Sequence, residues 1–556
     1  MRVLRLTVFV GLLLLLAGFT AHRACAQSEG TVPAAIRSML ERAETGVAGG
    51  SNPRERDALG AVYGGREFTP LWTHEGKPTP PSVALVQELR AADAYGLRPS
   101  DYAGDALASL LSKPIGDGSA ETERWAGFDV ELSAAVLRFL THLHSGRVDP
   151  RAAGFELGAM RTELDLGAVL ARLASTSEVS QVIASVEPQF YHYRLLKEAL
   201  ARYRQLAAEP GLSDLPPVTG RTIKPGESYG GAPALRRLLR ALGDLPADAH
   251  DPQDALILDP ALVAALKSFQ ERHELDPDGA IAGATYAALT TPLAHRVRQI
   301  ELTLERWRWL PAFDTPPIIV NIPQFKLFAF RSTQDRKADI LQMDVIVGRT
   351  YRRTPVFAAD MRYVVFRPYW DVPYSITKQE MVPQIRSNPD YLAAHHLEIV
   401  GAADDTAEPL PPSPENIEAL AAGKLRLRQR PGPDNALGPI KFILPNPYDV
   451  YLHSTPAREL FKKSRRAFSH GCIRVSDPVA LAAHVLQGAP GDWTPAAIEA
   501  AMNGSRTLRV NLARPIRVMI LYGTALATEA GTVLFFDDLY GYDRKLETLL
   551  ALPPLR

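Results

Sequence analysis

Two segments, Tyr451-Leu452-His453-Ser454 and Ser469-His470-Gly471-Cys472-Ile473-Arg474-Val475, decide how the rest of the chain is read. The 556 residues contain only two cysteines, Cys25 and Cys472, which excludes a disulfide-stapled scaffold. Cys472 lies two positions after His470 and nineteen after His453. A free thiol is mostly protonated at neutral pH, and an imidazole that takes its proton turns it into a nucleophile. In an extended segment residues two apart share a face, so His470, Cys472 and Arg474 are expected to align, with His453 facing the thiol from the preceding strand. Gly471 removes a side chain just before the sulfur, which lets an acyl group approach the backbone and peptide N–H groups meet a developing oxyanion. Two other readings exist. A lone cysteine is often a small buried hydrophobe, and His453, His470 and Cys472 could serve as three zinc ligands, although no fourth ligand or paired-cysteine spacing accompanies them.

Working outward, the flanking sequence has strand character. Ile318–Ile322, Lys326–Phe330, Met343–Val347 and Tyr363–Phe366 are rich in β-branched and aromatic residues and are divided by Gly- and Pro-bearing turns such as Gly348-Arg349-Thr350 and Thr354-Pro355. Strands resume at Ile440–Leu444 and Asp449–His453, around Ile473 and Val475, and at Leu508–Leu512, Arg517–Tyr522 and Val533–Phe536. Between Ser375 and Arg430 the pattern turns helical and polar, with a proline-rich centre at Pro409–Pro414. This reads as an insertion into a β domain over 316–545, placed as a lid over a site.

The front half reads as helices. Val83–Arg90, Ala134–Leu140 and Tyr193–Leu200 repeat apolar residues at three and four, within a helical scaffold expected over 27–212. A compact unit follows over 218–292: one amphipathic helix through Leu235, Leu238, Leu239 and Leu242, a second through Leu262, Leu266 and Phe269-Gln270, then Asp276-Pro277-Asp278-Gly279 and a closing Leu289. A connecting helix over 297–311 ends at Pro311. The expected fold class is therefore multidomain α+β. Hydrophobic residues are 46% of the chain and charged residues 22%, enough for several cores at roughly 150 residues per domain. Lys plus Arg equals Asp plus Glu at 62 each, which argues against a broad nucleic-acid or acidic-lipid footprint. Arg2 and Arg5, the apolar run Val8–Phe19 and Ala24-Cys25-Ala26 form a three-part secretory signal cleaved near Ala26, because a run of that length falls short of the roughly twenty residues a spanning helix needs.

The 218–292 unit resembles the small three-helix peptidoglycan-binding domain. The 451–475 segments, together with Gly348, Thr354-Pro355, Asn435-Ala436-Leu437-Gly438 and Asp538–Asp543, resemble the L,D-transpeptidase family with a YkuD-type catalytic domain, and the whole layout resembles its YcbB-like subgroup. The resemblance implies Cys472 as acylated nucleophile and His453 as general base. It further implies backbone oxyanion contacts from Gly471 and Cys472, assistance from Tyr451, and tuning of the thiolate by His470. Arg474, Trp370, Ser469 and Ser454 are implied at substrate, with Arg474 standing where many members carry Asn. The implied reaction is a 3→3 cross-link between stem peptides through a cysteine thioester, with release of D-Ala. Hydrolysis of the same acyl-enzyme by an L,D-carboxypeptidase, or wall binding without catalysis, are the alternatives. No cofactor or metal is implied. The implied partners are peptidoglycan stem peptides as donor and acceptor, with transient contact to other cell-wall synthesis enzymes. Neither nucleic acid nor a membrane span retained after cleavage is implied, and the compartment is the periplasm.

Overall fold

The computed structural model describes residues 31–44, 53–112, 118–158, 162–218, 220–250, 252, 254–332, 340–401 and 407–551. The expected export signal and Cys25 lie outside these residues. Among the described residues no helix is long and apolar enough to cross a membrane.

The chain is multidomain α+β, with a helical front and a β-rich back. The front is organised by the helix Ser119–Ser145, whose buried face includes Phe128, Leu132, Val136, Phe139 and Leu140. Its one buried carboxylate, Asp129, accepts the backbone N–H groups of Leu71 and Trp72 at 2.8 and 2.9 Å and the Tyr63 hydroxyl at 2.7 Å, so the charge is hydrogen-bonded rather than stranded. The three-helix unit consists of Ala232–Leu242, Pro260–Glu271 and Gly283–Leu289. Gln270 explains its motif. The buried amide donates to Asp278, Ala280 and Thr285, and its carbonyl accepts the Gly279 N–H at 2.8 Å, fixing the Asp-Gly turn against the second helix.

The connecting helix runs from Leu293 to Arg308, four residues earlier at its start than the periodicity indicates. Its Glu305 accepts the Arg147 and Val148 N–H groups just after the helix Ser119–Ser145, tying the connecting helix to the scaffold. The two-residue strand Phe155–Glu156 then adds to the back-half sheet.

That sheet contains β1 (Ile318–Asn321), β2 (Lys326–Phe330), β3 (Ile340–Gly348), β4 (Val356–Phe366), β5 (Ile440–Ile443), β6 (Leu452–His453), β7 (Ala467–Ser469), β8 (Ile473–Val475) and β9 (Leu508–Leu521). Neighbours follow the order β5-β6-β8-β3-β2-β1-β9-β4, and β4 also pairs with β5, so the ladder closes on itself around an apolar core. β7 pairs with β3 off this path. β9 is one strand where the sequence suggests two. Its register against β4 shifts between Asn511 and Ile516, across Pro515, which has no N–H for the ladder.

The segment expected as a helical insertion contains the helices Val382–Ser387 and Pro414–Ala421 with shorter turns, and also a three-stranded antiparallel sheet. That sheet sets Arg426–Gln429 between Leu397–Val400 and Trp370–Asp371. Val372, Ile376, Ile385, Ile399, Leu420 and Leu427 give it a small core of its own.

Candidate active site

β7, a turn and β8 present Cys472 where four elements meet. Gly471 has φ +125°, a conformation that disfavours any side chain, and this breaks the strand alternation. Ser469 builds the turn: its buried hydroxyl donates to the Cys472 carbonyl at 2.6 Å and accepts the Gly471 N–H at 3.1 Å. A neighbouring loop is clamped to it. Thr354 Oγ1 donates to the Gly471 carbonyl at 2.8 Å and accepts the Gly348 N–H at 2.9 Å, while the Tyr540 hydroxyl donates to the Gly348 carbonyl at 2.6 Å. A Cβ on Gly348 would lie 2.2 Å from the Arg352 carbonyl oxygen, so the loop closes only over glycine.

Cys472 is a free, half-buried thiol. Its S–H is directed to the Asp449 carbonyl at 3.7 Å, and the backbone N–H and hydroxyl of Tyr451 act on the sulfur electrostatically. Burial pushes the thiol above its ordinary pKa, while those Tyr451 donors and the Arg474 charge pull the other way. Burial also raises Tyr451 well above the usual phenol range, so its hydroxyl stays protonated, and Trp370 acts on the same hydroxyl in the opposite direction. Trp370 pairs with Gln429 in the insertion's sheet and so joins that sheet to the sulfur's neighbour.

His453 sits on β6, parallel to β8 and in register with Arg474. Its Nδ1–H donates to the Ser454 carbonyl at 2.5 Å, because a carbonyl can only accept, and this leaves Nε2 as the basic nitrogen. Burial, then the Arg474 charge, holds His453 down to about 3, against the opposing pull of the Ser454 and Leu437 carbonyls. The resting pair is therefore a neutral thiol and a neutral imidazole, not a preformed ion pair.

Four expectations need correction. His470 does not align with Cys472: Gly471 turns it away, and its Nε2 lies 3.1 Å from Glu380 Oε1 on the insertion, where Arg352 also pairs with Glu380 at 2.9 Å. The Gly471 N–H is taken by Ser469, whereas the Cys472 N–H has no partner among the described residues and remains for an oxyanion. Ser469 is buried and shapes the turn instead of facing substrate. Ser454 is likewise buried, with its carbonyl on His453 and its side chain against Gly438. The zinc reading loses its geometry with His470, and among the described residues no group of three His, Cys, Asp or Glu is placed to hold a metal ion.

The sequence reading brought Cys472, His453, Tyr451, Arg474 and Trp370 to one place but missed Asp449, Glu380, Arg349 and Arg352. Asp449 contributes only its carbonyl, and Glu380 lies 90 positions from His470, so no spacing could flag either. The Gly348–Thr354 loop was the available signal for the arginines.

Comparison with known proteins finds similarity to three families and to one curated protein. Residues 316–493 match a family described as "L,D-transpeptidase catalytic domain". Residues 231–289 match "Putative peptidoglycan binding domain", and residues 57–200 match "Scaffold domain". A curated Haemophilus influenzae protein named "Putative L,D-transpeptidase" is 32% identical over 257 residues, 46% of this chain and 50% of that protein. The chain thus spans about half the length of the curated relative it matches.

Proposed function

We propose, for a chain that carries an L,D-transpeptidase catalytic domain and a peptidoglycan-binding domain, that it joins peptidoglycan stem peptides through 3→3 cross-links. The observation that supports this reading best is a half-buried thiol whose own backbone N–H has no partner among the described residues, next to the strand that carries a buried, neutral His453. The thiol proton passes to His453 Nε2 as the sulfur, rotating from Asp449, attacks the carbonyl of the third stem residue. The S–C bond forms, the oxyanion meets the Cys472 N–H, and Tyr451 steadies the sulfur. The C–N bond then breaks and the leaving D-Ala amine takes the proton back from His453. The side-chain amine of a diamino acid on a second stem attacks the thioester, so a C–N bond replaces C–S and the thiol is restored. Conserving the acyl bond as a thioester allows cross-linking without ATP, as suits a protein working outside the cytoplasm.

In this reading the three-helix unit holds the wall strand, and the 375–430 insertion is a lid over the donor, with Trp370 as its aromatic wall. The layout is that of the YcbB-like subgroup. The test is intact mass after exposure to a tetrapeptide stem. A gain equal to the stem minus D-Ala on Cys472 is expected, and an unchanged mass or an adduct elsewhere overturns the assignment. Product mass with an acceptor stem present then separates transfer to an amine from hydrolysis.

A further inference from the structure

Arginines gather around the Cys472 turn, and they are not alike. Arg352 is neutralised by Glu380. Arg353 lies over the Tyr540 and Tyr542 rings and donates to the Thr350 carbonyl. Arg474 has neither arrangement, and Arg349 has only a loose stacking of its guanidinium on the Tyr351 ring, 6.0 Å from the centroid. Arg349 is fixed beside the turn by its N–H on the Ser469 carbonyl at 3.0 Å, and its guanidinium donates only to the Tyr351 hydroxyl, at 2.9 Å. Arg474 is half-buried, its Nε is enclosed without any hydrogen-bond partner, and Glu459 acts on it only from beyond ion-pair distance. The two guanidinium groups act on each other electrostatically, and Arg474 acts on Cys472. Arg474 is in register with Ile346 on β3, three residues before Arg349, so both cations border one turn, and a partly desolvated cation with an unmet donor is costly there unless an anion joins it. A planar guanidinium matches a carboxylate best.

We propose that Arg349 and Arg474 together form a carboxylate receptor beside Cys472, so that the acyl donor must present a free carboxylate close to the scissile amide. This rests on the transpeptidase reading for the donor's identity, but the receptor can be tested without it. Two carboxylates of a stem fit the chemistry: that of the leaving terminal residue and the second carboxylate of the diamino acid.

The first experiment measures alkylation of Cys472 in the full chain by anionic iodoacetate and by neutral iodoacetamide, read on the Cys472 peptide by mass. The iodoacetate-to-iodoacetamide rate ratio is expected to fall about tenfold in Arg349→Gln, the scale of a hydrogen bond to a charged group, and to recover partly in Arg349→Lys. Arg353→Gln removes the same charge from the same loop and is expected to leave the ratio within about twofold, because only the receptor's geometry is altered by Arg349. An unchanged ratio in Arg349→Gln, or an equal fall in Arg353→Gln, overturns the proposal. The second experiment compares tetrapeptide donors with a free terminal carboxylate, a terminal amide, or an amide on the diamino acid's second carboxylate. Loss of Cys472 acylation with one amide identifies the carboxylate bound, and indifference to both overturns the receptor. If the alkylation ratio behaves as expected while no stem acylates Cys472, the transpeptidase reading fails and the receptor stands.

Discussion

The turns at Gln270 and Cys472 share a construction and differ in what they leave unmade. Each has a glycine at positive φ, Gly279 at +71° and Gly471 at +125°, whose N–H is held by a buried polar side chain. At Gln270 every arm of the amide is used within the three-helix unit. At Cys472 the next N–H is free, a guanidinium nitrogen is unmet and the sulfur is reachable. A closed network contributes to stability, and an open one is poised for a ligand whose groups complete it.

The sharpest break of this comparison is Cys472→Ala, which should abolish every stem or β-lactam adduct while binding to isolated sacculi persists through the three-helix unit. Loss of sacculus binding in that variant would unite the two turns in one site. Next in size, His453→Ala should slow acylation by about 10²- to 10⁴-fold, the usual contribution of a general base, and Tyr451→Phe by much less. Equal losses in a stopped-flow acylation assay would make the Tyr451 hydroxyl the proton's route.

On the closed side, Gln270→Ala should destabilise the three-helix unit by about 1–3 kcal/mol, because it strands the Gly279 N–H and Thr285, with the Cys472 alkylation rate unchanged. A thermal melt beside that rate checks both, and a slowed thiol would show the turns to be coupled. The last effect is a pH dependence. Buried His142 in the helical front and His453 in the back are both held down to about 3, mainly by burial. The unfolded chain takes up these protons near pH 6.5, so acid favours unfolding. Stability is fully present above that value and falls toward pH 3 by about 1.4 kcal/mol per unit for each histidine. Urea unfolding at pH 7 and pH 5 should lose part of this slope in His142→Gln and in His453→Gln. A slope untouched by either variant refutes the assignment.

What was legible in the sequence follows the range of the forces involved. β1, β2, the middle of β3 and the last four residues of β4 announced themselves through β-branched and aromatic runs, and the three helices through their apolar spacing, since both signals are local. The insertion's sheet was not legible. Its strands are four residues or fewer, and the central one, Arg426–Gln429, is mostly polar, with Arg428 buried through its pairing with Glu398 at 2.9 Å. At the site, the residue types were readable and their orientations were not. A two-residue alternation was extended through Gly471, whose φ ends it, so His470 was placed on the sulfur rather than on Glu380. Ser454 and Ser469, which the resemblance implied at substrate, are both used inward.

The Tyr540 hydroxyl that secures the Gly348 loop comes from 192 positions downstream. Nascent chains are made in one direction, so the nucleophile exists long before its surroundings do. Until translation has passed Tyr540, a growing chain holds the reactive thiol without the brace that shapes its loop. A chain ending just before that tyrosine would carry the thiol and its turn but lack the hydrogen bond that secures the Gly348 loop.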